Sequence, residues 1–168
     1  MELAEGTVEI GGEAFPDVET FVAALDEIGD EHDVTVQAFD SRYIVSRRHL
    51  ERAVELADRE RDRGDAIARD RGVEIMLYAA GRRQIQRALE LGIGDGDTDA
   101  VVLVDGAGDE EAAAAAVEAL IDPTATLGDY DEQGVREFYD IGAAELGATE
   151  RGIEALVLER VALLVVER

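Results

Sequence analysis

The stretch DAVVLVDG, residues 99–106, constrains the fold of this chain more than any other segment. Five consecutive apolar residues without a polar interruption predict a β-strand that is covered on both faces, because a half-exposed strand alternates apolar and polar residues. Such cover is usually helical, and helix-like segments lie between the strand-like ones along this chain. The sequence therefore predicts an α/β fold.

Three further segments predict strands: GTVEIGG, residues 34–39, and VEIMLYAAG up to Gly81. Helical spacing and capping residues predict helices over 16–29, 46–63, 82–92 and around the alanine run 112–116. Ser46 is the predicted N-cap of the second helix, and Gly29 and Gly92 are the predicted ends of the first and third. In the third helix, Ile85, Ala88 and Leu89 are predicted to point inward.

We expect one domain over residues 1–168, with a mixed β-sheet covered by helices and a helical C-terminus. A chain of 168 residues can bury about 70% of the surface that it exposes when unfolded, which is enough for a stable core. No repeat of 20 to 50 residues and no low-complexity linker divides it.

The C-terminal segment GIEALVLERVALLVVER is apolar over more than one helical face. One stripe would hold Ile153, Leu156, Val157, Val161, Leu164 and Val165, and a neighbouring face Leu158, Ala162 and Val166. This breadth exceeds that of an ordinary surface helix. The helix is therefore either wholly buried or docked against a partner, and a final strand over 161–166 is an equally open alternative.

The charge of the chain is strongly divided along the sequence. It has 40 acidic residues and 16 basic ones, all arginine, for a formal charge of −24. Many acids without lysine are typical of proteins from a salt-filled cytoplasm, the alternative being a cationic partner. Residues 42–87 nevertheless hold 12 of the arginines and only 8 acids. This basic region indicates an anionic partner, unless its arginines serve only intrahelical ion pairs.

No group of residues predicts catalysis. Without cysteine there is no thiolate chemistry, and neither His32 nor His49 has a second histidine or a cysteine nearby to form a zinc site. The glycine-rich loops at 92–108 match neither a calcium loop nor a dinucleotide fingerprint, although a small α/β nucleotide-binding protein or enzyme stays a possible alternative. We expect no cofactor, no membrane span and a cytoplasmic location.

Several motifs resemble one known family. EIMLYAAGRRQIQRALELGI is similar to the signature of the kinase-binding subunit of the KEOPS complex, the archaeal relative of the human PRPK-binding protein. SRRHLERAVELA resembles the basic-basic-His segment of that family, and ALVLERVALLVVER resembles its closing helix. The similarities run in order from about residue 34 to the end. Arg69-Asp70-Arg71 departs from the polar, Asn-containing stretch usual in archaeal relatives, and the insert around 105–131 is longer.

The resemblance implies a non-catalytic subunit of the machinery that installs threonylcarbamoyladenosine in tRNA. Such a subunit binds and stimulates the kinase-like ATPase of the complex and recruits tRNA by its 3′ CCA end, with no small-molecule substrate of its own. The residues that this assigns to tRNA are Arg42, Arg47, Arg48, His49, Arg82, Arg83 and Gln84. The residues that it assigns to the kinase subunit are Ile153, Leu156, Val157, Arg160, Val161 and Leu164.

Overall fold

A computed structural model describes residues 1–166, which group into two compact units. Unit 1 comprises Met1–Ser41 and Gly92–Leu127, and unit 2 comprises Arg42–Leu91 and the residues from Gly128 onward. The strands are β1 Glu2–Ile10, β2 Thr35–Asp40, β3 Gly96–Asp105 and β4 Asp122–Pro123. The helices are α1 Val18–His32, α2 Arg47–Asp62, α3 Arg71–Ala80, α4 Ile85–Ala88, α5 Glu110–Glu118, α6 Glu132–Phe138, α7 Ala143–Ala148 and α8 Gly152–Val166. The α/β class and the helical C-terminus are confirmed, and one domain over 1–168 stays a prediction.

The sheet of unit 1 has the order β2-β3-β1-β4, and each neighbouring pair is antiparallel. The prediction of a mixed sheet is therefore corrected, because the described strands form no parallel pair. The reason is the position of β3, which lies between β1 and β2 and pairs Val102 with Ala4 on one side and with Ala38 on the other. β1 and β2 run in the same direction but never become neighbours.

The predicted apolar strand is the central strand β3. Its residues from Ala100 to Val104 are all fully buried, as the sequence predicted for a strand covered on both faces. Ala100, Val102 and Val104 share a core with apolar residues of α1 and α5, such as Phe21 and Val117. Burial of this core is the main source of stability in unit 1.

Helix α1 runs beyond the glycine that was predicted to end it. Asp17 caps its start by accepting a hydrogen bond from the Thr20 amide at 2.8 Å, and Asp33 ends it in the left-handed conformation with φ 54°. Gly29 is needed for a different reason, since a Cβ there would lie 2.7 Å from the Val34 carbonyl oxygen. Its small size lets the chain leading to β2 pass close to the helix.

In unit 2, the predicted strand VEIMLYAAG is wrong, because this segment forms helix α3. Its residues from Glu74 to Ala80 are all buried, so the apolar run reflects a helix surrounded by protein. A short run that is apolar on every side has no period that distinguishes a buried helix from a buried strand. Asp70 caps the start through the Val73 amide, and Gly81, predicted to close a strand, instead ends this helix with φ 63°.

The following segment is less helical than its sequence predicted. α4 is a single turn, and a 3-10 turn over Leu89–Leu91 follows it. Ala88 points inward as expected, but Ile85 and Leu89 are 47% and 55% exposed, so their inward orientation was predicted wrongly. Arg82 and Arg83 precede the turn rather than opening a long helix, and an anion site at a helix N-terminus is not supported there.

Candidate functional site

The basic region lies entirely in unit 2, and the structure separates its predicted RNA-binding residues into exposed and buried ones. Arg42 is exposed and places its guanidinium 5.4 Å from the centre of the Tyr43 ring. Arg47 and Arg48 are the first two residues of α2 and are both exposed; Arg47 pairs with Glu51 at 3.6 Å. All three arginines therefore lie on the exposed surface of unit 2.

His49 is not available, because its ring is fully buried. Its Nδ1 accepts a hydrogen bond from the Val45 amide at 3.3 Å, which places the ring proton on Nε2, 2.8 Å from the Ala79 carbonyl oxygen. Burial lowers the pKa of His49 to about 4, and the hydrogen bond to Ala79 only partly opposes this shift. The assignment of His49 to tRNA contact is therefore corrected: a neutral histidine in the core of unit 2 helps to hold α2 and α3 together.

Tyr139 completes the same buried cluster. Its hydroxyl donates to the Ala79 carbonyl oxygen at 2.9 Å and lies 3.2 Å from His49 Nε2, and burial raises its pKa far above the ordinary value. Ala79 is in the last turn of α3, where carbonyl groups have no partner within the helix. His49 and Tyr139 supply that partner and so cap α3.

Arg82 is mainly structural. It is half-buried, donates a hydrogen bond to the Phe138 carbonyl oxygen and lies over the Phe138 ring, with its guanidinium 5.4 Å from the ring centre. It also lies 4.0 Å from the Asp140 carboxylate. By contrast, Arg83 and Gln84 are exposed. Of the residues around the turn that were predicted to contact tRNA, Arg83 and Gln84 are therefore the exposed ones.

Glu74, one of the residues that carry the family resemblance, is also structural. Its side chain is fully buried and accepts hydrogen bonds from the Ile67 and Ala68 amides. Burial raises its pKa, while these hydrogen bonds act in the opposite direction. The carboxylate thereby fixes the loop between α2 and α3.

Helix α8 has an inner side and an outer side. Five of the residues predicted to contact the kinase subunit are buried within this chain: Ile153, Leu156, Val157, Val161 and Leu164. The sixth, Arg160, donates to the Tyr139 and Asp140 carbonyl oxygens at 2.9 and 3.0 Å and pairs with Glu145 at 2.8 Å. The hydrogen bond from Arg160 lowers the pKa of Glu145. This stripe therefore attaches α8 to unit 2, and the alternative of a final strand over 161–166 was wrong.

The outer side of α8 is apolar and partly exposed. Ala155, Leu158, Ala162 and Val166 recur at helical spacing, roughly opposite the buried stripe, and Val166 is 77% exposed. Three of them, Ala155, Leu158 and Ala162, line an open groove of about 870 Å³. The sequence pattern predicts both apolar stripes, but helical spacing alone does not tell which of them is the core, so the interface was predicted on the buried one.

Arginines border the same groove. Arg48 and Arg52 reach it from α2, and Arg151 precedes α8. The remaining lining residues are Thr149, Glu154, Leu156 and Glu159. The groove lies within unit 2 and thus combines part of the basic region with the outer face of α8.

The glycine-rich loops offer no such site. Gly106 and Gly108 pack closely against the turn between α1 and β2; a Cβ at Gly108 would lie 1.8 Å from the His32 carbonyl oxygen. The Gly106 amide donates to the Glu110 carboxylate, and the Gly108 amide donates to the Asp33 carbonyl oxygen. These amides are therefore occupied, and acids in the first turn of α5 disfavour a phosphate. Within residues 1–166, no group of histidine and acidic residues could hold a metal ion.

Comparison with known families decides where this architecture belongs. The model of the family "Kinase binding protein CGI-121" matches residues 15–164, nearly the whole chain. The chain belongs to the CGI-121 family. This is the KEOPS kinase-binding subunit family that the sequence motifs resemble, and it supports a kinase as the partner. A search of curated proteins gives no match.

The CGI-121 match runs through residues of both units. In the described part of the chain, no helix is long and apolar enough to span a membrane.

Proposed function

We propose that this chain is the non-catalytic KEOPS subunit that binds and stimulates the kinase-like ATPase and recruits tRNA through its 3′ CCA end. The observation that carries the proposal is the CGI-121 family match over residues 15–164. The acidic, lysine-free composition further supports an archaeal, halophilic source and a cytoplasmic location.

The kinase subunit docks on the outer face of α8. The buried stripe of this helix already packs within unit 2, so a partner can reach only the opposite side, at Ala155, Leu158, Ala162 and Val166. An apolar face of this kind gains free energy when a partner covers it, at about 25 cal/mol per Å² before the costs of association. The proposed interface therefore consists of these partly exposed residues of α8 instead of the buried ones that the sequence predicted.

Binding and ATPase measurements with the purified kinase-like subunit test this docking. We expect the wild-type chain to bind and to raise the ATPase rate, and Leu158→Asp to weaken binding at least tenfold because a carboxylate would be buried against apolar side chains. Val22→Asp is the matched control, since Val22 is 44% exposed on α1 of unit 1 and should not affect binding. Circular dichroism must show both variants folded. Equal binding by the two variants would contradict docking on this face.

The tRNA contact uses the exposed members of the predicted set other than Arg48, which lines the groove beside α8. These are Arg42, Arg47, Arg83 and Gln84. Arginine pairs with phosphate through two parallel hydrogen bonds and stacks on unpaired bases, both of which suit the single-stranded end of a tRNA. Ile85 and Leu89, exposed beside Arg83 in sequence, add apolar surface for base contact. Such stacking matters in molar salt, where phosphate attraction is strongly screened.

Binding of full-length tRNA and of the same tRNA without its CCA end, across a salt series, tests this part. We expect tight binding that is lost on trimming, and a loss of about tenfold or more for Arg47→Glu with Arg83→Glu. Arg59→Glu with Arg69→Glu makes the same change of charge at exposed arginines outside the set and should have little effect. If neither tRNA binds, the chain has kept its kinase partner and lost its RNA role during acidification.

A nucleotide-binding protein or enzyme using the loops at 92–108 is the alternative function. It predicts thermal stabilisation of the isolated chain by a nucleotide. Because the Gly106 and Gly108 amides are already hydrogen-bonded within unit 1, we expect no such shift.

A further inference from the structure

The groove beside α8 contains charged groups that the apolar contact does not use. Arg48 and Arg151 line it, and neither makes a salt bridge to any of the residues that the structure describes. Arg52, which also lines it, pairs with Glu55 at 2.8 Å. In a chain with 40 acidic residues, two arginines that line an apolar groove without forming a salt bridge require an explanation.

Apolar and charged residues have distinct places in this groove. Its α8 side is formed by Ala155, Leu158 and Ala162, and the two alanines leave room for a close approach. The guanidinium groups come from the start of α2 and from the residue just before α8. An amphipathic helix with an apolar stripe and carboxylates beside it matches both features, since helices commonly bind in such grooves and arginine pairs with carboxylates at interfaces.

We infer that the groove between α2 and α8 receives an apolar helical segment of the kinase-like subunit and that Arg48 and Arg151 pair with carboxylates flanking its apolar stripe. This inference rests on the proposed kinase docking and deepens it by naming the chemistry of the partner segment. It also assigns Arg48 to the kinase instead of to tRNA. Charge complementarity favours the kinase over tRNA as the partner. A tRNA would bring phosphates past Glu154 and Glu159 of the same groove. A helix, by contrast, can direct its carboxylates towards the arginines and its apolar side chains towards α8.

Glu154 and Glu159 make it possible to test the sign of the charge on the partner segment. Glu154 and Glu159 lie on α8 beside the apolar residues and would repel carboxylates of the partner segment. If the partner segment is acidic, Glu159→Gln should tighten kinase binding by about two- to threefold, because one repulsion is removed. If the partner segment is basic, the same change should weaken binding.

The decisive experiment measures binding of the purified kinase-like subunit to the full chain at about 0.2 M and about 2 M salt. Arg48→Glu with Arg151→Glu is compared with Arg59→Glu plus Arg69→Glu, which makes the same change of charge at exposed arginines outside the groove. We expect about a thirtyfold loss for the groove variant at low salt, a smaller loss at high salt, and less than a threefold loss for the control.

Each other outcome overturns the inference in a recognisable way. A wild-type chain that does not bind the kinase-like subunit contradicts the proposed function as well. Wild-type binding with equal affinity for both double variants contradicts the inference alone. A groove variant that loses only tRNA binding assigns the arginines to RNA. A wild-type dimer that this variant dissociates in sedimentation measurements assigns the groove to a second copy of the chain.

Discussion

The two units of this protein differ in charge more than in any other property. Unit 1 contains 21 acidic residues and no arginine, whereas unit 2 contains 19 acidic residues and all 16 arginines. Their formal charges are therefore −21 and −3. A uniform pressure towards acidity would have affected both units alike. The difference supports the proposal that an anionic partner such as RNA contacts unit 2, since the field around unit 1 repels any polyanion.

The units also differ in how they are held together. Unit 1 depends on backbone segments in close approach, as at Gly108 and Gly29. Unit 2 depends on side chains that satisfy backbone groups: His49 and Tyr139 on Ala79, and Arg160 on Tyr139 and Asp140. An added side-chain atom at such a glycine should therefore destabilise unit 1, and loss of such a side-chain hydrogen bond should destabilise unit 2.

The largest effect is expected from Gly108→Ala in unit 1. The new Cβ would lie 1.8 Å from the His32 carbonyl oxygen, so the backbone must move, and we expect a loss of about 4 kcal/mol or more in the free energy of unfolding. Gly94→Ala is the control, because its Cβ would meet no atom within 4 Å. Denaturant unfolding of both variants measures the difference, and similar stabilities would refute close packing at Gly108.

A smaller, pH-dependent effect is expected from His49 in unit 2. Its pKa is about 4 in the folded chain and about 6.5 when unfolded, so the unfolded state binds the proton first as the pH falls. The stability from this group is complete above pH 6.5 and is lost towards pH 4, by up to about 3 kcal/mol.

Unfolding measured at pH 7 and at pH 4.5 checks this sign. His49→Gln cannot titrate, so the wild type should lose about 2–3 kcal/mol more than the variant over that interval. Comparing the two chains cancels the titration of the many carboxylates. Parallel pH profiles would mean that His49 is not buried as a neutral group.

A still smaller effect is expected from salt on unit 1. Its 21 acidic residues repel one another without any arginine in the same unit, and lowering the salt from about 2 M to 0.1 M lengthens the Debye length from about 2 Å to 10 Å. We expect hydrogen exchange of β1 and β3 to show about 1–2 kcal/mol of lost protection, with less change in α2 and α3. Equal losses in both units would remove the contrast between them.

The smallest effect is expected from Arg52→Gln. The Arg52–Glu55 pair is an exposed pair three residues apart on α2, and such pairs contribute a few tenths of a kcal/mol. Thermal unfolding should change by no more than a degree or two. A loss above 1 kcal/mol would show that Arg52 has a further role within unit 2.

Much of unit 1 could be predicted from sequence because its signals are local. The run from Ala100 to Val104 identified the central strand, and the alanine run located helix α5. In unit 2, the Ser46 cap likewise located helix α2. The all-antiparallel pairing could not be predicted, because the sequences of β1 and β2 do not indicate that β3 lies between them in the sheet. The α3 segment was misread as a strand because complete burial removes the helical period.

The candidate site was predictable in its region but less so in its residues. Charge along the sequence located the basic region, and helical spacing located α8. Neither signal distinguishes exposed residues from buried ones. His49 and Leu164 were therefore predicted to contact partners although both are buried, and the partly exposed Leu158 was not included in the predicted interface. The hydrogen bonds of His49 and Arg160 join residues distant in sequence, which no local pattern reveals.

Hydrogen exchange of the full chain with and without the purified kinase-like subunit tests whether unit 2 binds this partner. We expect protection on binding in 152–166 and in the first turns of α2, with unit 1 unchanged. Protection confined to unit 1, with none in α8, would contradict it.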